Sequence, residues 1–400
     1  MSLIQIFDQT SPLVSGYSMR SRYITESLHK LGVPLTVFSS PIFSYKNNTE
    51  SINGVNYVRS VMPGWNVIRK FPVLKEKCVV ENIKATIDKN WRSDFKAISA
   101  HSSVLNGLAG VDLAKKHGVP LIYEIRALWE DAAVDQGKTK EGSLRYNLTR
   151  QIETDVIKKA DHITVICEGL KKDIMGRGIP ENKITIISNG VDVSGFTPQA
   201  ADQELIKKYG LAGHKVFGFI GTFFEFEGLE LLIKAAKDVL FARKDVKFIF
   251  VGGGLQEQKL KDMVQELGLA DQIIFSGRVK HDDVQKFYSV IDVLVYPRIS
   301  KRITELVTPL KPLEAMALEK IVIGSDVGGI KELVKDGYNG ILFKAGDDKD
   351  LTDKCLYALN HFSEMQKIAK QGREYVIRER NWFDICKTYL GIFKELGIKS

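Results

Sequence analysis

Arg298, Arg302, Lys311 and Glu314 fall within one stretch, Tyr296–Glu332, which reads YPRISKRITELVTPLKPLEAMALEKIVIGSDVGGIKE. Residues 310–318 carry apolar side chains at helical spacing, and Pro309 stands where a first-turn proline forfeits no hydrogen bond. The spacing predicts a helix opening near Pro309. Free N–H groups and the dipole at such a start attract an anion, and Arg298, Arg302 and Lys311 add full positive charge beside it. A diphosphate meets those conditions. Glu314, just inside the helix, can accept from two adjacent hydroxyls at once, as a ribose presents them. The run IVIGSDVGGIKEL then reads as a buried strand, a turn at Gly328-Gly329 and a new helix, where backbone can approach a ligand without a Cβ in the way. Any one of these residues alone is equally at home in an ordinary βα turn. Their clustering is what favours a site.

The elements that position this stretch follow from the apolar pattern. LIQIF (3–7), PLTVF (34–38), AISA, PLIYEI, HITVI and ITIIS are strand-like runs separated by amphipathic segments. Such alternation predicts a parallel sheet with helices on both faces. After the turn-rich NGVDVSGFTPQA, read as a linker, the pattern restarts with VFGFIG, KFIFVGGG, QIIFSG, VLVYP, IVIGS and GILF. A second doubly wound sheet is expected there. The fold class is therefore α/β, with two Rossmann-like domains at 1–200 and 201–381 facing a cleft, and a last helix from Trp382.

Composition agrees with two cores: 400 residues, 44% hydrophobic and 26% charged, are ordinary for a globular chain of two domains. The four cysteines lack CxxC spacing, which excludes a zinc site or disulfide framework as a first reading. The N-terminus has no basic start followed by an apolar core, and no run approaches a membrane span. A cytosolic protein is expected. The net charge of +8 admits an anionic partner. Trp65–Lys96 concentrates it, with eight Lys or Arg against four Asp or Glu interleaved with apolar residues including Val67, Phe71, Val73, Leu74, Val79, Ile83 and Ile87. Two solvated helices with buried inner faces, or a basic amphipathic surface for an anionic membrane, both fit. No nucleic-acid-binding motif is present.

The order PLEAMALEKIVIGSDVGGIKELVKDGYNGILF resembles the C-terminal donor site of retaining GT-B glycosyltransferases, the large nucleotide-sugar family four. The likeness runs through most of the chain. It implies a GT-B fold, a terminal helix (382–400) crossing back onto the first domain, and a UDP- or GDP-linked sugar donor as substrate. It also implies no cofactor and no metal. By that resemblance Glu314 binds the ribose. From their clustering around a strand end and helix start, Arg298 and Arg302, with Arg278 and Lys311 as further candidates, are expected to offset the phosphates, and the Val307–Leu310 backbone to supply contacts. The family's second glutamate falls at Leu306 here, with Glu305 one position away, so Glu305 is the candidate for the donor sugar. Thr308 and Lys311, in a TPLKPLEAM variant, stand beside it.

The departures carry information. GTFFEFEGLELL places Thr222 and Glu227 where most of the family has arginine and lysine for the diphosphate. A carboxylate facing a diphosphate is repelled, so neutralisation must come from elsewhere. In the first domain, Gly16 sits between the first strand and its helix, facing the donor by resemblance. His101 ends a strand where open α/β sheets place ligands. Arg126 occupies the position of a family histidine; it cannot act as a base but can orient a hydroxyl. Arg126 and His101 are thus the acceptor-side candidates, and Glu124, Glu130 and Asp131 are nearby carboxylates. The triple glycine at 252–254 lacks the dinucleotide fingerprint and reads as a strand-to-helix turn lining the donor cleft.

The resulting expectation is a retaining glycosyltransferase acting on a saccharide or lipid-linked saccharide. It would work in the cytoplasm or at the inner face of a membrane, in polysaccharide or glycolipid synthesis. The lost family positions also fit a non-catalytic relative that binds a nucleotide sugar and scaffolds or regulates. A nucleotide-sugar epimerase of the same fold is the weaker third reading.

Overall fold

Strand and helix periods in the sequence become two α/β sheets in the computed structural model, which describes residues 2–135, 137–280 and 283–398, without the side chains of 72, 73 and 135. Two units result: Met1–Ser188 with Trp382–Ser400, and Asn189–Asn381. These are unit 1 and unit 2 below.

Unit 1 holds β1 (Ser2–Phe7), β2 (Leu35–Ser39), β3 (Thr49–Ile52), β4 (Val55–Arg59), β5 (Phe95–His101), β6 (Leu121–Ile125), β7 (His162–Val165) and β8 (Ile184–Ile186). Their order in the sheet is β3-β4-β2-β1-β5-β6-β7-β8. All neighbours are parallel except β3 and β4, an edge hairpin. That hairpin was not among the expected strands. Asn53 and Gly54 form its turn with φ of 51° and 81°, the left-handed pair that an Asn-Gly dipeptide supplies.

Unit 2 holds β9 (Lys215–Thr222), β10 (Val246–Gly253), β11 (Ile273–Gly277), β12 (Val293–Tyr296), β13 (Ile321–Ser325) and β14 (Ile341–Phe343). Their order, β11-β10-β9-β12-β13-β14, is that of a dinucleotide-type sheet, entirely parallel. Phe217, Phe219, Phe223, Phe248 and Phe250 are fully buried in its core. Each contributes roughly 1.5–3 kcal/mol by leaving water.

The expected boundary at 200 lies inside unit 2. Val191 and Phe196 are buried in that unit's core, and the Val191 N–H bonds to Arg380 O. A turn-rich composition signals loop, but these apolar residues pin the loop to unit 2. The terminal segment is two short helices, Trp382–Cys386 and Thr388–Glu395, instead of one. It joins unit 1: Trp382 stacks on Tyr23 at 5.8 Å, and the Tyr389 hydroxyl donates to Glu124 at 2.6 Å.

The basic stretch gives helices Trp65–Ile68 and Pro72–Lys89. Val79, Ile83 and Ile87 enter the core at helical spacing, whereas Val67, Phe71 and Leu74 stay exposed beside Arg69 and Lys70. Val73's side chain lies outside the described residues. Among the described residues no helix is long and apolar enough to cross a membrane.

Candidate functional site

Parallel strands end together, so the loops after β9, β10, β12 and β13 gather the charged residues of unit 2 on one edge. Gly221 and Thr222 at the end of β9 pair with Gly252 and Gly253 of β10. Gly252 has φ of 134°, and a Cβ there would lie 1.8 Å from Gly221 O; one at Gly254 would meet Phe223 backbone at 2.8 Å. The triple glycine therefore lets two loops of the protein close on each other, a tighter role than lining a cleft.

Lys311 and Arg278 come down on these adjoining strand ends. A Cβ at Gly221 would lie 2.7 Å from Lys311 Cε, and one at Gly253 would lie 3.3 Å from Arg278 Cγ. Lys311 is half-buried and Arg278 exposed. Among the described residues neither cation has a carboxylate at ion-pair distance, although Glu257 is near enough to feel the field of Arg278. Thr222 is exposed at the strand's last position.

Arg298 is a different matter. Its Nε and Nη2 bind both oxygens of Glu227 at 3.1 and 2.9 Å, and both residues are buried. The expectation that Arg298 offers free charge to a phosphate is corrected: its charge is already matched. The same pair explains how Glu227 is tolerated where the family has a cation. Arg302, half-buried, is likewise engaged by protein groups.

Pro312, not Pro309, is the first-turn proline of the helix Lys311–Ala317, which starts two residues later than the spacing predicted. Pro309 and Thr308 precede it, and the Asn189 amide donates to Thr308 O at 2.8 Å and Oγ1 at 3.2 Å. Thr308 is buried, and Val307 and Leu310 are half-buried. Glu314 lies in the first turn, and its Oε2 accepts the Tyr288 hydroxyl at 2.9 Å. Burial, with Glu314 beside it, holds the Tyr288 phenol well above its usual range, so it remains a donor. Tyr288, from helix Val284–Val290, went unnoticed in the sequence because no spacing links it to Glu314.

Glu305 is occupied. Its Oε1 accepts Ser300 Oγ and its Oε2 accepts the Gly328 N–H, each at 2.7 Å. It caps the short helix Gly328–Lys331. A Cβ at Gly328 would lie 2.3 Å from Glu305 O, and one at Gly329 would lie 2.2 Å from Val307 O. The glycines admit the protein's own backbone at this place.

In unit 1, Gly16 is exposed as the first residue of helix Gly16–Lys30, capped by Ser15. His101 and Arg126 are together but enclosed. Glu124, fully buried, accepts Arg126 Nε at 2.7 Å and Arg20 Nε and Nη2 at 3.1 and 3.2 Å. Burial alone would raise the Glu124 carboxyl, but Arg20, His101 and Arg126 hold it well below the usual range. His101 Nδ1 lies 3.1 Å from Glu124 Oε1, and its Nε2 lies 3.1 Å from Ser99 Oγ. Arg126 Nη2 also lies 3.2 Å from Nδ1, so this ring nitrogen faces both the carboxylate and a guanidinium. Burial pulls the His101 pKa down to about 4. Arg126 also donates to Tyr17 O and Ser21 Oγ. Both side chains are thus held by partners within unit 1. Glu130 pairs with Arg177, and Asp131 accepts the Tyr146 hydroxyl.

Two doubly wound, parallel-dominated sheets with polar strand ends define an α/β protein of the GT-B fold. Residues 201–375 match the family model of glycosyl transferases group 1, and residues 14–194 match that of Glycosyltransferase Family 4. The chain belongs to the group 1 GT-B glycosyltransferases. It is 24% identical to 2-deoxystreptamine glucosyltransferase of Streptomyces kanamyceticus over 73% of this chain and 74% of that one. Its fold is similar to sucrose-phosphate synthase from Thermosynechococcus elongatus, with TM-score 0.78 and 20% identity over 100% of both chains. It is also similar to Anabaena HepE in complex with UDP-glucose, with TM-score 0.75 and 17% identity over 98% of this chain and 99% of that one.

Proposed function

We propose that the chain transfers a sugar, with retention and without a metal, from a UDP- or GDP-linked donor to a hydroxyl of a saccharide or lipid-linked saccharide, in polysaccharide or glycolipid synthesis. The observation that carries this reading is the convergence of Lys311 and Arg278 on adjoining strand ends, three residues from Glu314 in the case of Lys311. Charge develops on the leaving diphosphate as the glycosidic bond breaks, and cations fixed in advance stabilise it most at that moment. Glu314 takes the ribose hydroxyls through the oxygen that Tyr288 leaves open. The leaving phosphate then receives the acceptor proton on the same face, which gives retention. Glu305 seats the Gly328 turn, and His101 and Arg126 act as positioning residues in unit 1. The UDP-glucose bound by the Anabaena protein favours a uridine donor. Calorimetric titration with nucleoside diphosphates tests the reading.

The exposed Val67, Phe71 and Leu74 beside Arg69 and Lys70 suit docking on the cytoplasmic face of an anionic membrane. The full chain is expected to sediment with phosphatidylglycerol vesicles at low salt, and Phe71→Ser with Leu74→Ser to weaken this about tenfold or more. Equal binding to neutral and anionic vesicles, or none to either, contradicts the docking surface.

A further inference from the structure

Three residues after Arg126 the chain enters the short helix Trp129–Asp135, which packs on the helix Leu144–Lys159. Glu153, on the longer helix, is fully buried and holds the start of the shorter one: its Oε2 accepts the Trp129 N–H at 2.9 Å, and its Oε1 accepts the Tyr123 hydroxyl of β6 at 3.0 Å. Neither donor carries a charge. Among the described residues no Lys or Arg stands at ion-pair distance from Glu153.

The cations nearby are already matched. Arg177, which follows the helix Glu168–Gly176, binds Glu130 Oε1 at 2.5 Å and Asp173 Oδ1 at 2.7 Å. Arg150, more exposed, lies 3.5 Å from Glu130 and 3.8 Å from Asp173. Two carboxylates thus face two guanidinium groups, and Glu153 would add a third negative charge to a dry cluster with no cation to offset it. Asp131, also buried, is bonded to the Tyr146 hydroxyl at 2.9 Å and supplies no positive charge. From the helix Val104–His117, which packs on the same long helix, Asp112 is exposed and held by Lys84 at 2.8 Å.

Hydrogen bonding points the same way. Glu130 Oε2 is buried with no donor. The cluster is short of one donor and long by one negative charge, and a proton on Glu153 supplies the first and cancels the second. Burial, with the Glu130 charge next, pushes the Glu153 carboxyl up to about 8, against the pull of the Trp129 N–H and Arg177.

We propose that Glu153 carries a proton at neutral pH and latches helix Trp129–Asp135 onto helix Leu144–Lys159, and that loss of this proton in mildly alkaline solution loosens the latch. It is a pH-sensitive device within unit 1 and does not rest on the transfer reading. In the unfolded chain the same carboxyl ionises in the ordinary glutamate range. The stability that the proton gives is therefore whole below that range and is lost as pH rises to about 8.

The test is urea unfolding of the full chain, followed by the fluorescence of the unit 1 tryptophans from about pH 5.5 to 9.5, in wild type, Glu153→Gln and Glu130→Gln. One bound proton changes the folded-to-unfolded ratio about tenfold per pH unit. Glu153→Gln is neutral at every pH and keeps a donor, so relative to it the wild-type ratio should fall about tenfold per unit up to about pH 8 and then level off. Glu130→Gln removes the neighbouring charge, so its levelling point should come about one unit lower or more. Hydrogen exchange of residues 129–135, corrected for its intrinsic pH dependence, should quicken about tenfold or more between about pH 6.5 and 9 in wild type and hold steady in Glu153→Gln. A wild-type curve parallel to that of Glu153→Gln, a levelling point unmoved in Glu130→Gln, or exchange at 129–135 indifferent to pH overturns the proposal. Should Glu153→Gln fail to fold, the infrared spectrum of wild type decides. A protonated-carboxyl band that fades near pH 8 together with the protection of 129–135 supports the latch, and no such band at neutral pH overturns it.

Discussion

Glu124→Ala is expected to destabilise unit 1 by about 3–5 kcal/mol, the usual consequence of removing one partner from a buried ion cluster. Arg20 and Arg126 would lose their shared carboxylate while 3% and 7% exposed, and the Tyr389 hydroxyl would lose its acceptor. Coulomb attraction in this dry interior sustains the two guanidinium groups; without it their desolvation is uncompensated. All four tryptophans (65, 91, 129 and 382) belong to unit 1, so urea unfolding followed by tryptophan fluorescence reads this unit alone. Glu124→Gln, which keeps the shape and one acceptor oxygen, should lose less than the alanine variant. A loss below about 1 kcal/mol for Glu124→Ala, the scale of a surface pair, would contradict the account of His101 and Arg126 as residues held from within.

Removing Lys311 and Arg278 together should weaken nucleoside diphosphate binding by about 10–100-fold, since a charge-assisted hydrogen bond contributes roughly 1.5–3 kcal/mol. Thermal stability should barely change, because among the described residues neither side chain has a carboxylate at ion-pair distance. Arg298→Ala is the contrasting control. It leaves Glu227 buried and unpaired, so it should lower stability strongly, as the pairing of the two buried groups dictates. If the double variant bound nucleotide as well as wild type, the cations would have to be sought elsewhere.

Much of the architecture was legible because it rests on local period: apolar runs of strand length alternating with amphipathic helices gave both sheets. The β3–β4 hairpin was also announced locally, by Asn53-Gly54, but β3 (TESI) carries a single apolar residue and does not stand out beside the buried strands. At the candidate site, residue types were legible and their commitments were not. Arg298 and Glu227 are separated by 71 positions, and nothing in either neighbourhood says that they pair. Tyr288 and Glu314 are joined only by the folding of helix Val284–Val290 against helix Lys311–Ala317. Only the strand order, which places β5 beside β1, brings the Ser103 N–H to Asp8 after β1.

Calorimetric titration of UDP, GDP, ADP and CMP into the wild-type chain and into Glu314→Ala tests the central claim most directly. The account predicts that one nucleoside diphosphate, UDP foremost, binds the wild-type chain and is weakened at least tenfold in the variant, the scale of hydrogen bonds to a carboxylate. If no nucleotide binds the folded wild-type chain, the donor site is lost, and a non-catalytic role becomes the better description of this protein.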